Sequence, residues 1–144
     1  MSAKLMFPVL TAEEAAEHIH HGQLVGFSGF TPAGAAKAVP RAIAERAKAL
    51  HGKGEDFQIR VLTGASTGEA LDETLAQADA ISWRAPYQSS KTLRKKMNAG
   101  ETKFVDMHLS HLPQTVAEGF FGEMDVAVIE ATEISGDGDR KSVV

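Results

Sequence analysis

The sequence contains no cysteine, no long apolar run and no excess of positive charge, and each absence excludes a class of protein. Without cysteine the chain has no disulfide, no thiolate nucleophile and no cysteine-based zinc site. Residues 1–9 are too short and too weakly apolar for a secretory signal. No stretch approaches the ~18 consecutive apolar residues of a membrane span. We therefore expect a soluble, cytoplasmic protein that does not cross a membrane.

The charge balance argues against a nucleic-acid partner. The net charge is -4, whereas nucleic-acid binding needs clustered Lys and Arg to displace counterions. One basic run, residues 91–96, is followed closely by Glu101 and Asp106, and we interpret it as a solvated helix face. A chain of 144 residues with 43% apolar and 24% charged residues is typical of one globular domain.

Short apolar runs alternate with helical patterns along the chain. Thr11 and Glu14 form a capping box that predicts a short helix ending near His20. The run Leu24-Val-Gly-Phe27, bounded by glycines, predicts a buried strand. Further helices are predicted over residues 37–50, 69–77, from Ser89 or Ser90 to 97, and 114–121, and further strands over residues 57–63, 81–83, 103–105 and within 124–131. This alternation predicts an α/β fold with a mostly parallel open sheet and helices on both faces.

Two glycine-rich loops follow predicted strands, at the end of the sheet where open α/β folds place ligands. They are Gly26-Phe-Ser-Gly-Phe-Thr-Pro-Ala-Gly34 and Gly64-Ala-Ser-Thr-Gly68. Their backbone N–H groups could approach an anion, and Ser28, Ser66 and Thr67 would add hydroxyl donors. The alternative is that the glycines only permit tight turns. Two such loops at corresponding positions favour an anion or acyl site.

Other catalytic arrangements find little support. The loops lack the Lys and Ser/Thr of a P-loop and the spacing of a Rossmann motif. Two histidine pairs, His18 with His21 and His108 with His111, lack the carboxylate of a zinc-binding helix, and we expect no metal site. Glu130 lies near the end of the last strand, and we interpret it as a structural or subunit-contact residue rather than a nucleophile.

The segment His21-Gly-Gln-Leu-Val-Gly-Phe-Ser-Gly-Phe-Thr-Pro-Ala-Gly34 resembles the glycine-glycine-phenylalanine signature of class I CoA-transferases. Ser28 replaces the first glycine of that signature, and Ala36 stands where its proline usually is. The Ser-Gly-Phe sequence is similar to the branch of acetyl-CoA hydrolases and succinyl-CoA:acetate CoA-transferases. Further matches, specific in their order and spacing, are Leu62-Thr-Gly-Ala-Ser-Thr-Gly68, Arg84-Ala-Pro-Tyr87, Asn98-Ala-Gly-Glu101, Asp106-Met-His-Leu-Ser110 and Val128-Ile-Glu-Ala-Thr132.

The resemblance implies an enzyme that moves CoA between an acyl-CoA and a small carboxylate through a glutamyl-CoA intermediate. Family members have two α/β halves, with the nucleophilic glutamate in the second, so the resemblance implies no catalytic residue in this chain. Coenzyme A would be a substrate, with no permanently bound cofactor. Ser28, Gly29 and Phe30 would line the acyl pocket, Phe30 as an apolar wall, with Ser66 and Thr67 opposite.

The same resemblance implies a boundary near the end of the chain. Residues 1–134 would be an incomplete amino-terminal half of a two-domain CoA-transferase, and residues 135–144 a non-matching tail that does not continue as the next strand. We expect the chain alone to be inactive, and its partners to be the carboxyl-terminal half and further copies of itself. The alternative is a stand-alone α/β module that binds a small anion or nucleotide, which would need a finished sheet with no exposed apolar face.

Overall fold

The computed structural model describes residues 6–142. Outside the described part lie residues 1–5 and 143–144. Residues 1–5 belong to the segment that is too short and too weakly apolar for a secretory signal. The helices are α1 (Ala12–Glu17), α2 (Ala38–His51), α3 (Thr74–Gln77), α4 (Lys91–Asn98) and α5 (Leu112–Ala117). The strands are β1 (Leu24–Phe27), β2 (Ile59–Thr63), β3 (Ile81–Ala85), β4 (Lys103–Phe104), β5 (Val126–Val128), β6 (Ala131–Ile134) and β7 (Arg140–Ser142).

Five parallel strands form the main sheet, in the order β4-β3-β2-β1-β5. The chain steps from β1 to β4 in one direction and then returns to place β5 beside β1. Because crossovers between parallel strands are right-handed, this reversal puts the helices before and after it on opposite faces. The predicted α/β fold with a mostly parallel sheet is confirmed, and the strand order reverses between β1 and β5.

Two apolar clusters lie on the two faces of the sheet. The larger one joins alternate strand residues, such as Val25 and Ile59, to helix residues, such as Ile43 and Leu93, all fully buried. Each such side chain contributes about 1.5–3 kcal/mol when buried. The smaller cluster contains Leu24, Leu62, Ala85 and Leu112, and here the short helix α5 provides the helical cover.

Helix starts follow the local signals that the sequence carries. The Thr11 amide donates to Glu14 Oε2 at 2.7 Å, and the Glu14 amide donates to Thr11 Oγ1 at 3.1 Å, so the predicted capping box is confirmed. Ser90, one of the two predicted caps, accepts from the Leu93 amide at 3.0 Å. The helix predicted over residues 69–77 differs, because it opens as a π turn (Glu69–Glu73) before α3.

The carboxyl-terminal segment forms a hairpin, whereas residues 135–144 were expected to be a tail that does not continue as a strand. Strands β6 and β7 pair antiparallel, and the Ser135 amide donates to the Asp139 carbonyl at 2.8 Å across the turn. Gly138 has a φ of 91°, so the glycines that interrupt the apolar pattern build this turn. The domain boundary predicted at residue 134 falls between β6 and the turn, and it stays a prediction.

Candidate functional site

A cavity of about 410 Å³ opens where the strand order reverses. This is the place at which open α/β sheets bind ligands, because the crossovers on either side diverge there. The ends of β1, β2 and β5 form its floor, and α5 forms one wall. The lining residues are Gly26, Phe27, Ser28, Leu62, Thr63, Gly64, Leu112, Pro113, Val116, Ala127, Val128 and Ile129. The cavity is therefore mainly apolar, with a few hydroxyl and backbone groups.

Ser28 is the predicted site residue that lines this cavity. Its hydroxyl donates to the Gly34 carbonyl at 2.7 Å and accepts from the Glu130 amide at 2.8 Å. A hydroxyl has one hydrogen, so while this bond to Gly34 lasts Ser28 can only accept from a ligand. Ser28 was predicted to donate a hydrogen bond to the ligand, and its bond to Gly34 leaves it no hydrogen with which to do so. The hydroxyl ties the first loop to the end of β5.

Gly29 and Thr67 bring the two glycine-rich loops into contact. A Cβ atom placed on Gly29 would lie 3.0 Å from Thr67 Cγ2 and 2.9 Å from Ala35 Cα. Gly29 also has a φ of +139°, which other residues rarely adopt. Thr67 is 1% exposed, and its hydroxyl has no hydrogen-bond partner among the described residues. The contact leaves no room for a side chain at position 29.

Phe30 and Ser66, like Gly29 and Thr67, lie outside the cavity lining. Phe30 is 60% exposed, and its backbone pairs with Ala33 in a tight turn. Ser66 is half-buried on the second loop. The predicted roles of Phe30 as an apolar wall and of Ser66 as a contact to the acyl group stay predictions.

A buried ion pair behind the second loop was missed from the sequence. Arg84 Nε donates to Asp72 Oδ1 at 2.8 Å and Arg84 Nη2 donates to Asp72 Oδ2 at 3.0 Å, with both side chains 0% exposed. Arg84 also donates to the carbonyls of Ala65, at 3.3 Å, and Ala85. Asp72 accepts from the Thr67 amide at 3.3 Å. The available signal was an acidic residue, Asp72, within the helix predicted over residues 69–77, and a basic one, Arg84, directly after the strand predicted over residues 81–83.

Glu130 carries an ion pair beside the cavity. Its Oε1 lies 3.0 Å from Lys37 Nζ, which also donates to the Ala35 carbonyl at 3.1 Å. The Lys37 side chain is 57% exposed and that of Glu130 is 34% exposed. The carboxylate thus contacts the loop that precedes α2, as the interpretation of Glu130 as a structural residue would require.

Glu73 follows Asp72 and organises the start of α4 on the outer side of the same turn. Its carboxylate accepts hydrogen bonds from the Ser90 and Thr92 hydroxyls and from the Thr92 amide. The bonds from Ser90 and then Thr92 lower the pKa of Glu73 to about 2. Glu73 is therefore ionised at neutral pH and holds α4 against the π turn.

Neither metal-binding groups nor membrane spans were found over residues 6–142. In that range, no three His, Asp or Glu side chains lie close enough together to hold a metal ion. His108 uses its Nδ1 in a 2.7 Å hydrogen bond to Ser110 Oγ, and its ring lies 5.9 Å from that of His111. No helix in the same range is long and apolar enough to cross a membrane.

Comparison with known proteins identifies the family. Residues 4–142 match the family model of the acetyl-CoA hydrolase/transferase N-terminal domain. The chain belongs to this family. It is 58% identical over 129 residues to propanoyl-CoA:succinate CoA transferase of Escherichia coli, covering 90% of this chain and 26% of that protein. It is 43% identical over 136 residues to succinyl-CoA:acetate CoA-transferase of Clostridium kluyveri, covering 94% and 25%.

A hydrolase is also among the relatives. Acetyl-CoA hydrolase of Eremothecium gossypii is 36% identical over 143 residues, covering 94% of this chain and 27% of that protein. The relatives of this chain therefore include both transferases and hydrolases. The chain spans about a quarter of the length of these curated relatives. The family resemblance predicted from residues 21–34 and the later matches is confirmed.

Solved structures agree on the fold. An acyl-CoA transferase (YdiF) of Escherichia coli O157:H7 superposes with a TM-score of 0.65 at 17% identity, covering 81% of this chain and 23% of that one. The apoenzyme of the same protein gives 0.64 at 13% identity, covering 100% and 33%. At such identities the likeness shows a shared CoA-transferase fold for this part of the chain.

Proposed function

We propose that this chain supplies the acyl-binding part of an enzyme that transfers CoA between an acyl-CoA and a small carboxylate. Membership in the acetyl-CoA hydrolase/transferase family supports the reaction class. The observation that carries the site is the cavity at the reversal of strand order, next to the contact between Gly29 and Thr67. We further propose that residues 1–134 form the unit concerned and that residues 135–144 lie outside it.

The proposed reaction proceeds through a glutamate that lies outside residues 1–144. Its carboxylate oxygen attacks the thioester carbonyl carbon, the C–S bond breaks, and CoA leaves as a thiolate from an acyl-glutamyl anhydride. The thiolate then attacks the glutamyl carbonyl carbon and releases the acyl group as a carboxylate. The acceptor carboxylate reverses these two steps, whereas attack by water gives net hydrolysis. Covalent catalysis of this kind divides a difficult exchange into easier steps.

The cavity fits the acyl group in this scheme. Its lining is mainly apolar, so a short aliphatic chain would displace water and strengthen the electrostatic interactions at the carbonyl. The Ser28 hydroxyl already donates its hydrogen to the Gly34 carbonyl. The oxyanion that each step generates therefore needs a backbone N–H donor instead. The Gly29 amide makes no hydrogen bond to another described residue, and Gly29 directly follows Ser28, which lines the cavity. Removing one such donor costs on the order of 10²–10³ in rate.

The rest of the enzyme would come from other polypeptide segments. The chain spans about a quarter of the length of its curated relatives. Glu130, a carboxylate near the cavity, forms an ion pair with Lys37. We propose that the chain alone is inactive, that a carboxyl-terminal half completes the site, and that the enzyme is a cytoplasmic homo-oligomer. Coenzyme A is a substrate in this proposal, without a permanently bound cofactor. The large apolar side chains Phe104, Phe120 and Ile129 are each at least half exposed, which suits a surface to be covered.

A chimera tests the proposal. Residues 6–134, the described part of the proposed unit, would replace the matching segment of the Escherichia coli propanoyl-CoA:succinate CoA transferase, to which the chain is 58% identical over 129 residues. The expected result is succinyl-CoA formation from propanoyl-CoA and succinate, measured by chromatography. The unmodified relative is the positive control, and circular dichroism and solution mass establish folding. A folded chimera that transfers no CoA would contradict the proposal.

A further inference from the structure

The ion pair between Asp72 and Arg84 needs an explanation beyond stability. Both side chains are 0% exposed. Removing two charges from water costs about as much as their attraction returns, and replacing a buried pair by apolar residues of similar size is often neutral or stabilising. A protein that only needed a stable core at this place would do as well with apolar side chains. The pair is therefore better explained by the groups that it holds.

Those groups are the backbone on either side of Ser66. Arg84 Nη2 donates to the Ala65 carbonyl at 3.3 Å, and Asp72 Oδ2 accepts from the Thr67 amide at 3.3 Å. The two ends of one short loop segment are thus attached to the two partners of one bidentate ion pair. A bidentate Arg–carboxylate pair fixes orientation as well as distance.

The π turn explains how Asp72 reaches the loop. The Glu73 amide donates to the Gly68 carbonyl at 3.4 Å, which is the five-residue spacing of a π turn. This wider turn follows directly on the loop of residues 64–68. The carboxylate of Asp72 then lies between that loop and Arg84 of β3, where it contacts both.

The attachment continues to the first loop. Thr67 is held by Asp72 on one side and packs against Gly29 on the other, where a Cβ would lie 3.0 Å from Thr67 Cγ2. We infer that Asp72 and Arg84 are positioning residues. They fix the position and orientation of the loop of residues 64–68 relative to Gly29 in the proposed acyl site. This inference rests on the proposed function for its catalytic consequence, while the positioning itself concerns the two loops alone.

A paired substitution separates positioning from stability. The double variant Asp72→Leu/Arg84→Met keeps a similar volume without charge, and we expect its urea midpoint to lie above that of Asp72→Leu alone, which leaves the Arg84 charge buried and unpaired. Amide hydrogen exchange at residues 65–67 should accelerate on the order of tenfold in the 144-residue chain, because the Thr67 amide loses its Asp72 acceptor and the Ala65 carbonyl keeps only the Thr63 hydroxyl. In the chimera, kcat should fall on the order of 10²-fold, since small misplacements in a site have effects of that size.

The control is the partly exposed pair of Lys96 and Asp79, whose charged atoms lie 2.6 Å apart. The variant Lys96→Met/Asp79→Asn should leave exchange at residues 65–67 and kcat unchanged. Should the double variant fail to fold, Asp72→Asn/Arg84→Gln also removes both charges but keeps one acceptor and one donor, and it should give a smaller change in the same direction.

The outcomes are distinct for the two proposals. Unchanged exchange at residues 65–67 in the folded double variant would overturn the positioning inference. A kcat within twofold of the unsubstituted chimera would overturn its catalytic consequence. Absence of transfer in the unsubstituted chimera would contradict the proposed function alone, because the exchange measurement needs no turnover.

Discussion

Gly29 and Thr67 lie so close together that a side chain at position 29 would clash with Thr67. The would-be Cβ of Gly29 is 3.0 Å from Thr67 Cγ2, and Thr67 is 1% exposed. The first loop leads from β1 to α2, and the second leads from β2 to the π turn. Their contact therefore makes the spacing of the two loops depend on one glycine, and this dependence can be tested directly.

Gly29→Ala should lower the free energy of unfolding by about 1–3 kcal/mol, because the added methyl group is forced into a packed contact. The φ of +139° adds strain for any residue with a side chain. Urea unfolding followed by circular dichroism measures the change. Gly64→Ala is the matched control, since a Cβ there meets nothing within 4 Å. Equal stability of the two variants would show that the loop contact is looser than described.

Ser28→Ala should lower the free energy of unfolding by about 1–2 kcal/mol, because the Gly34 carbonyl and the Glu130 amide both lose a partner. The same urea titration measures this loss. Ser66→Ala provides the comparison, as Ser66 is half-buried on the other loop and takes part in neither bond. If Ser28→Ala left the free energy of unfolding unchanged, water would have to replace the hydroxyl as the partner of both groups.

The 144-residue chain should release no thiol from acetyl-CoA, and Glu130→Gln should change nothing in that assay. Glu130 is paired with Lys37 at 3.0 Å in a partly exposed place, so its removal should also alter stability by no more than about 1 kcal/mol. Thiol release is followed with a chromogenic disulfide reagent. Clear turnover that disappears in Glu130→Gln would contradict the assignment of the nucleophile to another segment.

Glu73 should make the chain less stable in acid. Hydrogen bonds from Ser90 and Thr92 lower its folded-state pKa from 4.5 to about 2. A lowered folded pKa means that the stabilisation is complete above pH 4.5 and is lost as the pH falls from there toward 2. Urea unfolding at about pH 7, 4 and 3 measures this loss. In Glu73→Gln the change with pH over the same range should be smaller, and an unchanged slope would assign it to other groups.

Local signals were sufficient for much of the fold. The run from Leu24 to Phe27 is compact, apolar and bounded by glycines, and the strand has the predicted bounds. Thr11 and Ser90 cap the predicted helices because a hydroxyl beside a free amide is a short-range interaction. The β6–β7 hairpin was missed, since its exposed strands carry no apolar alternation to distinguish them from a tail.

The site depended on contacts that the sequence does not display. Asp72 and Arg84 are 12 residues apart on different elements, and the fold alone brings them together. Ser28 was recognised as a site residue, but its bond to Gly34, which removes its donor, follows from the shape of the loop. The exposure of Phe30 is set by the tight turn with Ala33 in the same way.

The return of the chain to place β5 beside β1 has a consequence for folding. The bond from the Glu130 amide to Ser28 joins residues 102 positions apart, so it closes a longer loop, at a greater entropic cost, than contacts between nearer residues. Contacts among β1, β2 and β3 span much shorter separations and can form first. The cavity should therefore be among the last features to form, and during synthesis it cannot exist until Glu130 has left the ribosome.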